Sequence, residues 1–141
     1  KRYSDNNFIK NYIKKFSNLY YLDTSIDIKN ILYKYDIFIS MRATSTITWL
    51  ILSNKPFVFI NSKIRNPLPK NLYHKFSRSF FLFDYEDRNF HNNLINFLNK
   101  PYTDIQRAWI EKNENRERLL DELFDFKNVH TDINLFDILN I

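Results

Sequence analysis

The 141-residue chain contains no glycine and no cysteine. At the average usage of about 7%, a chain of this length holds roughly ten glycines. Without them a glycine-rich phosphate loop cannot form. An anion held by backbone amides must then be met at a helix N-terminus opened by Ser, Thr or Asn. The lack of cysteine excludes disulfides, thiolate nucleophiles and cysteine-ligated zinc, and it fits a reducing compartment. No run approaches the roughly 20 apolar residues of a membrane span, and no secretory signal is visible. The three histidines, His74, His91 and His130, are far apart and lack ligand partners at metal spacing, so no metal is expected.

Acid is missing locally as well. From Ile37 to Phe83 there is no Asp or Glu, while Arg42, Lys55, Lys63, Arg65, Lys70, Lys75 and Arg78 all fall in that span. These seven cations exceed the formal net charge of +5 for the whole chain. A positive field of this kind suits a phosphorylated ligand, a nucleic acid or an acidic surface.

Hydrophobic residues make up 44% of the chain, enough for a globular core of one domain. Phe8, Ile9, Tyr12, Ile13 and Phe16 recur at helical spacing, which predicts a helix over residues 6–17. "NLYYLD", residues 18–23, reads as a strand. Thr24 and Asp27 form a capping box for a helix carrying Ile28, Ile31, Leu32 and Tyr35. "IFIS", 37–40, has the unbroken apolar character of a buried parallel strand. Thr44 or Ser45 caps a helix whose inner face includes Ile47, Leu50 and Ile51, and Asn54 takes the left-handed cap position that glycine would otherwise fill.

Pro56 opens the strand "FVFI", 57–60. A polar, basic loop over 62–79 follows, with a short helical turn around Leu72 to Phe76, and then the strand "FFLF", 80–83. Asp84 or Asp87 starts a helix bearing Phe90, Leu94, Phe97 and Leu98, which Pro101 ends. Asp84, Glu86 and Asp87 together read as acids at a helix start. Thr103 or Asp104 caps a long charged helix to about Phe126, with "EKNENRER", 111–118, as its solvated face. Residues 131–141 read as a last amphipathic helix with Ile133, Phe136 and Leu139 on one side. Trp49 and Trp109 read as packing residues, and His91 falls on an outer helix face. Strands alternating with helices predict an α/β fold with a parallel sheet.

Ligands of open parallel sheets sit beyond the carboxyl ends of the strands, where loops lead into helices. Met41-Arg42-Ala43-Thr44-Ser45-Thr46 is such a loop. Its free amides, its hydroxyls and Arg42 suit an anion. Read from the residues alone, Thr44 or Ser45 equally serves as a plain N-cap.

The stretch "DIFISMRATSTITWLILSNKPFVFIN", 36–61, resembles the Asp-hydrophobic-Ile-Ser, Thr-Ser and Gly-Lys-Pro pattern of bacterial polysaccharide-biosynthesis proteins. These are glycosyltransferases of the GT-B type, including the group named for a Pro-Phe-Thr-Ser motif. Arg42-Ala43-Thr44-Ser45 stands where that motif would lie, and Asn54-Lys55-Pro56 matches the Gly-Lys-Pro. Arg-Ala thus replaces Pro-Phe, and the helix after the loop lacks the acid that often binds ribose.

The resemblance implies a Rossmann-like, doubly wound parallel sheet, the C-terminal half of a GT-B fold: a partial nucleotide-sugar-binding domain over 1–141, ending in helices at 104–126 and 131–141. The strand at 18–23 would be its third, and an N-terminal domain holding the catalytic base would precede it. Arg42, Thr44, Ser45 and Thr46 would bind the donor diphosphate. Asn61 and Ser62, with His74, Lys75 and Arg78 from the basic loop, would form a second donor-facing rim. The implied enzyme moves a sugar or polyol-phosphate from a nucleotide-activated donor to a glycan or lipid-linked acceptor. It needs no cofactor or metal, and these 141 residues alone would be inactive. It would work in the cytoplasm or at the inner face of the cytoplasmic membrane. A nucleotide-sugar epimerase, a basic nucleic-acid-binding module and a non-catalytic assembly domain stay open as alternatives, although the aromatics fall in apolar core runs and no RNA-binding signature is present.

Overall fold

The computed structural model describes residues 11–22, 25–42 and 45–124. The chain divides into two compact units, residues 1–34 and 35–141.

In the first unit, residues 11–13 are helical and close with bonds from Lys15 N to Tyr12 O and Phe16 N to Ile13 O. The Tyr12 and Phe16 rings pack 5.3 Å apart, as residues one helical turn apart can. The strand expected at 18–23 does not form over its described part. Residues 18–22 are turn and irregular chain, and Tyr20 is 81% exposed. Strand composition alone does not make a strand, which needs a ladder of backbone bonds to a neighbouring strand. The helix expected after Asp27 is also shorter, a pair of 3₁₀ turns at Ile28–Asn30 and Leu32–Lys34. Asp27 alone makes the visible cap, its carboxylate accepting from Lys29 N at 3.1 Å, and Thr24 lies outside the described residues.

The second unit is α/β. Three parallel strands, β1 (Phe38–Ser40), β2 (Phe57–Asn61) and β3 (Phe81–Asp84), lie in the order β1-β2-β3. Helix α1 (Ser45–Leu52) joins the first two strands and α2 (Lys70–Ser79) the next two. After β3 come α3 (Phe90–Leu98), α4 (Tyr102–Glu111) and α5 (Asn113–Phe124).

β2 is buried at every position, which explains its lack of alternation: a central strand covered on both faces has no side for polar residues. Its register with β3 pairs Val58 with Phe81 and Phe59 with Leu82, which sorts the side chains by face. On one face Phe57 and Phe59 meet Phe80 and Phe76 edge to face, each at 5.4 Å. On the other, Phe81 and Phe83 pack on Phe97 of α3 at 4.6 and 5.6 Å. Helices therefore cover both faces, as a doubly wound sheet requires. Each buried phenylalanine contributes about 1.5–3 kcal/mol.

Several connections follow directly from the residue types. Leu50 and Ile51 of α1 are buried and Ile47 is half-buried. Asn54 has φ 52, the left-handed conformation that ends a helix when no glycine is available. Trp49 departs from expectation, being 47% exposed rather than packed.

The basic loop is also shorter than its composition suggests, because α2 takes up residues 70–79 of it. Phe76 of α2 is buried, Leu72 and Tyr73 are half-buried, and this spacing along one stripe is what fixes the helix. The long charged helix is in fact two, broken at Lys112. Trp109 is pinned against Phe80 and Phe81, at 6.2 and 6.0 Å. The Lys112 ammonium is pinned to the carbonyls of Ser77 and Arg78. α5 then turns to lie along α2, with Leu119 buried, Ser79 Oγ donating to Asn115 O and Lys75 paired with Glu122. The charged run is accordingly not wholly solvated, since Arg116 is only 3% exposed. Residues 125–141, including the last expected helix, lie outside the described residues.

Candidate functional site

Because the strands are parallel, Ser40, Asn61 and Asp84 end at one edge of the sheet. Polar side chains appear where the apolar runs stop. The register sets Asn61 beside Asp84, and Asn61 Nδ2 donates to Asp84 Oδ1 at 2.7 Å. Tyr73 of α2 donates its hydroxyl to Asp84 Oδ2 at 2.8 Å, and Lys63 Nζ approaches the same oxygen at 3.3 Å. Burial pushes the Asp84 carboxyl up. The hydrogen bonds from Asn61, Tyr73 and Lys63, with the Lys63 charge, outweigh burial and hold it below the usual carboxylate range. Burial, then the Asp84 carboxylate, push the Tyr73 hydroxyl up.

The loop leaving β2 is fixed by a second carboxylate. Glu86 accepts from Ser62 Oγ at 2.6 Å, Lys63 N at 3.0 Å and Ile64 N at 3.4 Å. The Ser62 hydroxyl and the Lys63 amide hold Glu86 below its ordinary value. Ser62 Oγ also accepts from Arg65 N at 3.1 Å, and Asn61 Oδ1 accepts from Leu68 N at 3.1 Å. The acids expected at the start of α3 thus divide by role. Asp84 closes β3, Glu86 grips the loop, and only Asp87 serves the helix start, accepting from Asn89 N at 2.8 Å.

Two adjoining hollows open beside this loop and share Pro67 and Leu68. One, of about 330 Å³, is lined by Asn61, Lys63, Lys70, Tyr73 and His74 among others. The other, of about 460 Å³, takes in Arg42, Arg65, Asn66, Pro69 and Leu72. Arg42 comes from the loop after β1, where Ser40 Oγ accepts from Arg42 N and donates to Arg42 O. The N-terminus of α2 has no side-chain cap, because Pro69 stands at that position. Its first-turn amides, at the positive end of the helix dipole, are available to an anion. Among the described residues, Arg42, Arg65 and Lys70 form no ion pair.

The site residues expected from the sequence therefore separate. Arg42 and His74 line the two hollows, and Asn61 lines one, with both polar atoms of its side chain already bonded. Ser62 is 5% exposed and anchors the loop. Ser45 and Thr46 form the first turn of α1, and Thr44 lies outside the described residues. Lys75 and Arg78 sit elsewhere, in a groove between the C-terminal half of α2 and α5. α2 starts at the carboxyl edge and leads to the opposite one, so residues late in it leave the site behind.

Sequence reasoning missed Lys63, Arg65, Lys70 and Tyr73 as a group. Asp84 had a signal: "FVFIN" and "FFLFD" both end polar, and parallel neighbours of matched length bring such ends together. Among the described residues, no cluster of His, Asp and Glu suits a metal ion, and no helix is long and apolar enough to cross a membrane. Comparison with protein families, characterised proteins and solved structures yields no match to this chain.

Proposed function

We propose that this domain binds the diphosphate of a nucleotide-activated donor at the carboxyl edge of its sheet, as part of a polysaccharide-biosynthesis transferase. The observation that carries the binding reading is the meeting of three cations with no ion pair among the described residues, Arg42, Arg65 and Lys70, with the uncapped N-terminus of α2 around two joined hollows. The reaction class rests on the resemblance of residues 36–61 to GT-B-type enzymes.

Transfer of a sugar or polyol-phosphate leaves negative charge on the departing nucleotide. Fixed cations and oriented amides lower the barrier by meeting that charge where it develops, with no reorganisation at the moment of reaction. In this reading Arg42, Arg65 and Lys70 hold the phosphates. Asp84, through Lys63 and Tyr73, keeps the wall of the hollow in place. The acceptor, a glycan or lipid-linked chain, and the catalytic base come from a further domain, on the cytoplasmic side of the membrane.

Thermal unfolding of the chain with nucleoside diphosphates tests the binding step. A ligand at a hundred times its Kd adds about 2.7 kcal/mol of stability, an easily measured rise in Tm. Stabilisation by single-stranded RNA alone, falling steeply with salt, would replace this reading with nucleic-acid binding. No response to either would replace it with an assembly role.

A further inference from the structure

At the opposite, amino edge of the sheet lies a cavity of about 370 Å³, walled by Asn54, Lys55, Gln106, Trp109, Asn113 and Arg116 among others. No Asp or Glu lines it. Arg116 is 3% exposed, its guanidinium stacked 3.7 Å from the centre of the Trp109 ring. Nη1 donates to Trp109 O at 2.7 Å and Nη2 to Asn113 Oδ1 at 2.8 Å. Both acceptors are neutral. Among the described residues no carboxylate pairs with Arg116. Glu117 is exposed and accepts instead from Asn113 Nδ2 at 2.6 Å.

A second cation lies close by. The Lys112 ammonium is pushed below its ordinary value by burial and by the neighbouring Arg116 charge. Burial likewise pushes Arg116 down to about 10, with the Glu117 charge opposing. Buried charges are ordinarily paired. The carbonyls at the end of α4 carry only a fraction of the needed negative charge. Trp109 is itself fixed, its Nε1 donating to Asn54 O at 3.1 Å, so the floor of the cavity is rigid.

We infer that this cavity binds a small oxyanion, the carboxylate or phosphate of a low-molecular-weight ligand. Arg116 supplies the charge, and the amides of Gln106 and Asn113 supply donors around it, together with Lys55, whose ammonium also donates to Tyr35 O. The site lies at the other edge of the sheet from the proposed donor site, and it stands or falls independently of that site.

Trp109 reports on it directly. The chain has two tryptophans, so the full chain carrying Trp49→Phe leaves Trp109 as the only tryptophan, excited at wavelengths where tyrosine does not absorb. Its fluorescence would be titrated with sodium phosphate and, separately, with sodium acetate, each against sodium chloride at matched ionic strength. The inference expects a saturable change with at least one oxyanion. Preference between the two names the source of the charge. Because Arg116 also anchors the turn between α4 and α5, the variants are placed on the cavity wall. Lys55→Gln and Gln106→Ala should each weaken binding at least fivefold. Arg107→Gln removes the same charge from an exposed position on α4 and should leave binding within twofold. A response no different from sodium chloride, or one weakened equally by Lys55→Gln and Arg107→Gln, overturns the assignment and leaves Arg116 as an internal anchor only.

Discussion

Replacing Asp84 with alanine tests whether the carboxyl edge is held together as described. The Asp84 carboxylate receives Asn61 Nδ2 at 2.7 Å and the Tyr73 hydroxyl at 2.8 Å, and its side chain is 16% exposed. Asn61 is 2% exposed, so its amide has no access to water as a substitute partner. An unsatisfied buried donor costs about 1–3 kcal/mol. Tyr73 is half-buried and recovers part of its loss through solvent. Asp84→Ala should therefore destabilise the domain by about 2–4 kcal/mol in urea denaturation, at an unchanged slope. Asp84→Asn keeps the shape and one acceptor and should lose roughly half as much.

The pH dependence follows from the sign of the shift. The native Asp84 carboxyl titrates below its unfolded value, so the unfolded chain binds the proton first as acid is added. Its contribution is fully present above the ordinary carboxylate pKa, near 4, and is lost as pH falls through the lower native value. The difference in stability between the native chain and Asp84→Asn should be constant from pH 7 down to about 5 and shrink below that. A loss under 1 kcal/mol for Asp84→Ala, or a difference that grows towards acid pH, would refute the reasoning.

Two further outcomes are expected. Asn54 holds φ 52, so Asn54→Ala should destabilise by about 1 kcal/mol, while Asn54→Gly should be neutral or better, as judged by thermal unfolding. Glu86→Gln should leave global stability nearly unchanged but speed hydrogen exchange at the Lys63 and Ile64 amides, which now bond the Glu86 carboxylate.

Much of the second unit was legible because its signals are local. "FVFI" is apolar at every position because β2 is covered on both faces, and Asn54 is the residue that best tolerates a left-handed turn where glycine is missing. What was not legible depends on distant partners. "NLYYLD" has strand composition, but composition cannot supply a neighbour to bond. α2 was concealed by Pro67, Pro69 and its polar face, although its apolar stripe was present. The charged stretch 103–126 reads as one helix until Trp109 and Lys112 are fastened to the end of α2. The acid-free span contained the cations of the carboxyl edge, Arg42, Arg65 and Lys70, but of these only Arg42 was singled out, by its place in the loop after a strand. The span could not show that Lys75 and Arg78, also within it, would be carried away by the direction of α2.

The central claim is that Arg65 and Lys70 hold an anionic nucleotide at the carboxyl edge. Isothermal calorimetry of a nucleoside diphosphate binding to the full chain measures it most directly, comparing Arg65→Gln/Lys70→Gln with the charge-matched control Lys100→Gln/Arg107→Gln. The account predicts at least tenfold weaker binding for the first pair, about 1.4 kcal/mol or more, and an affinity within twofold of the native chain for the control. Equal affinity in both doubly substituted chains would contradict it.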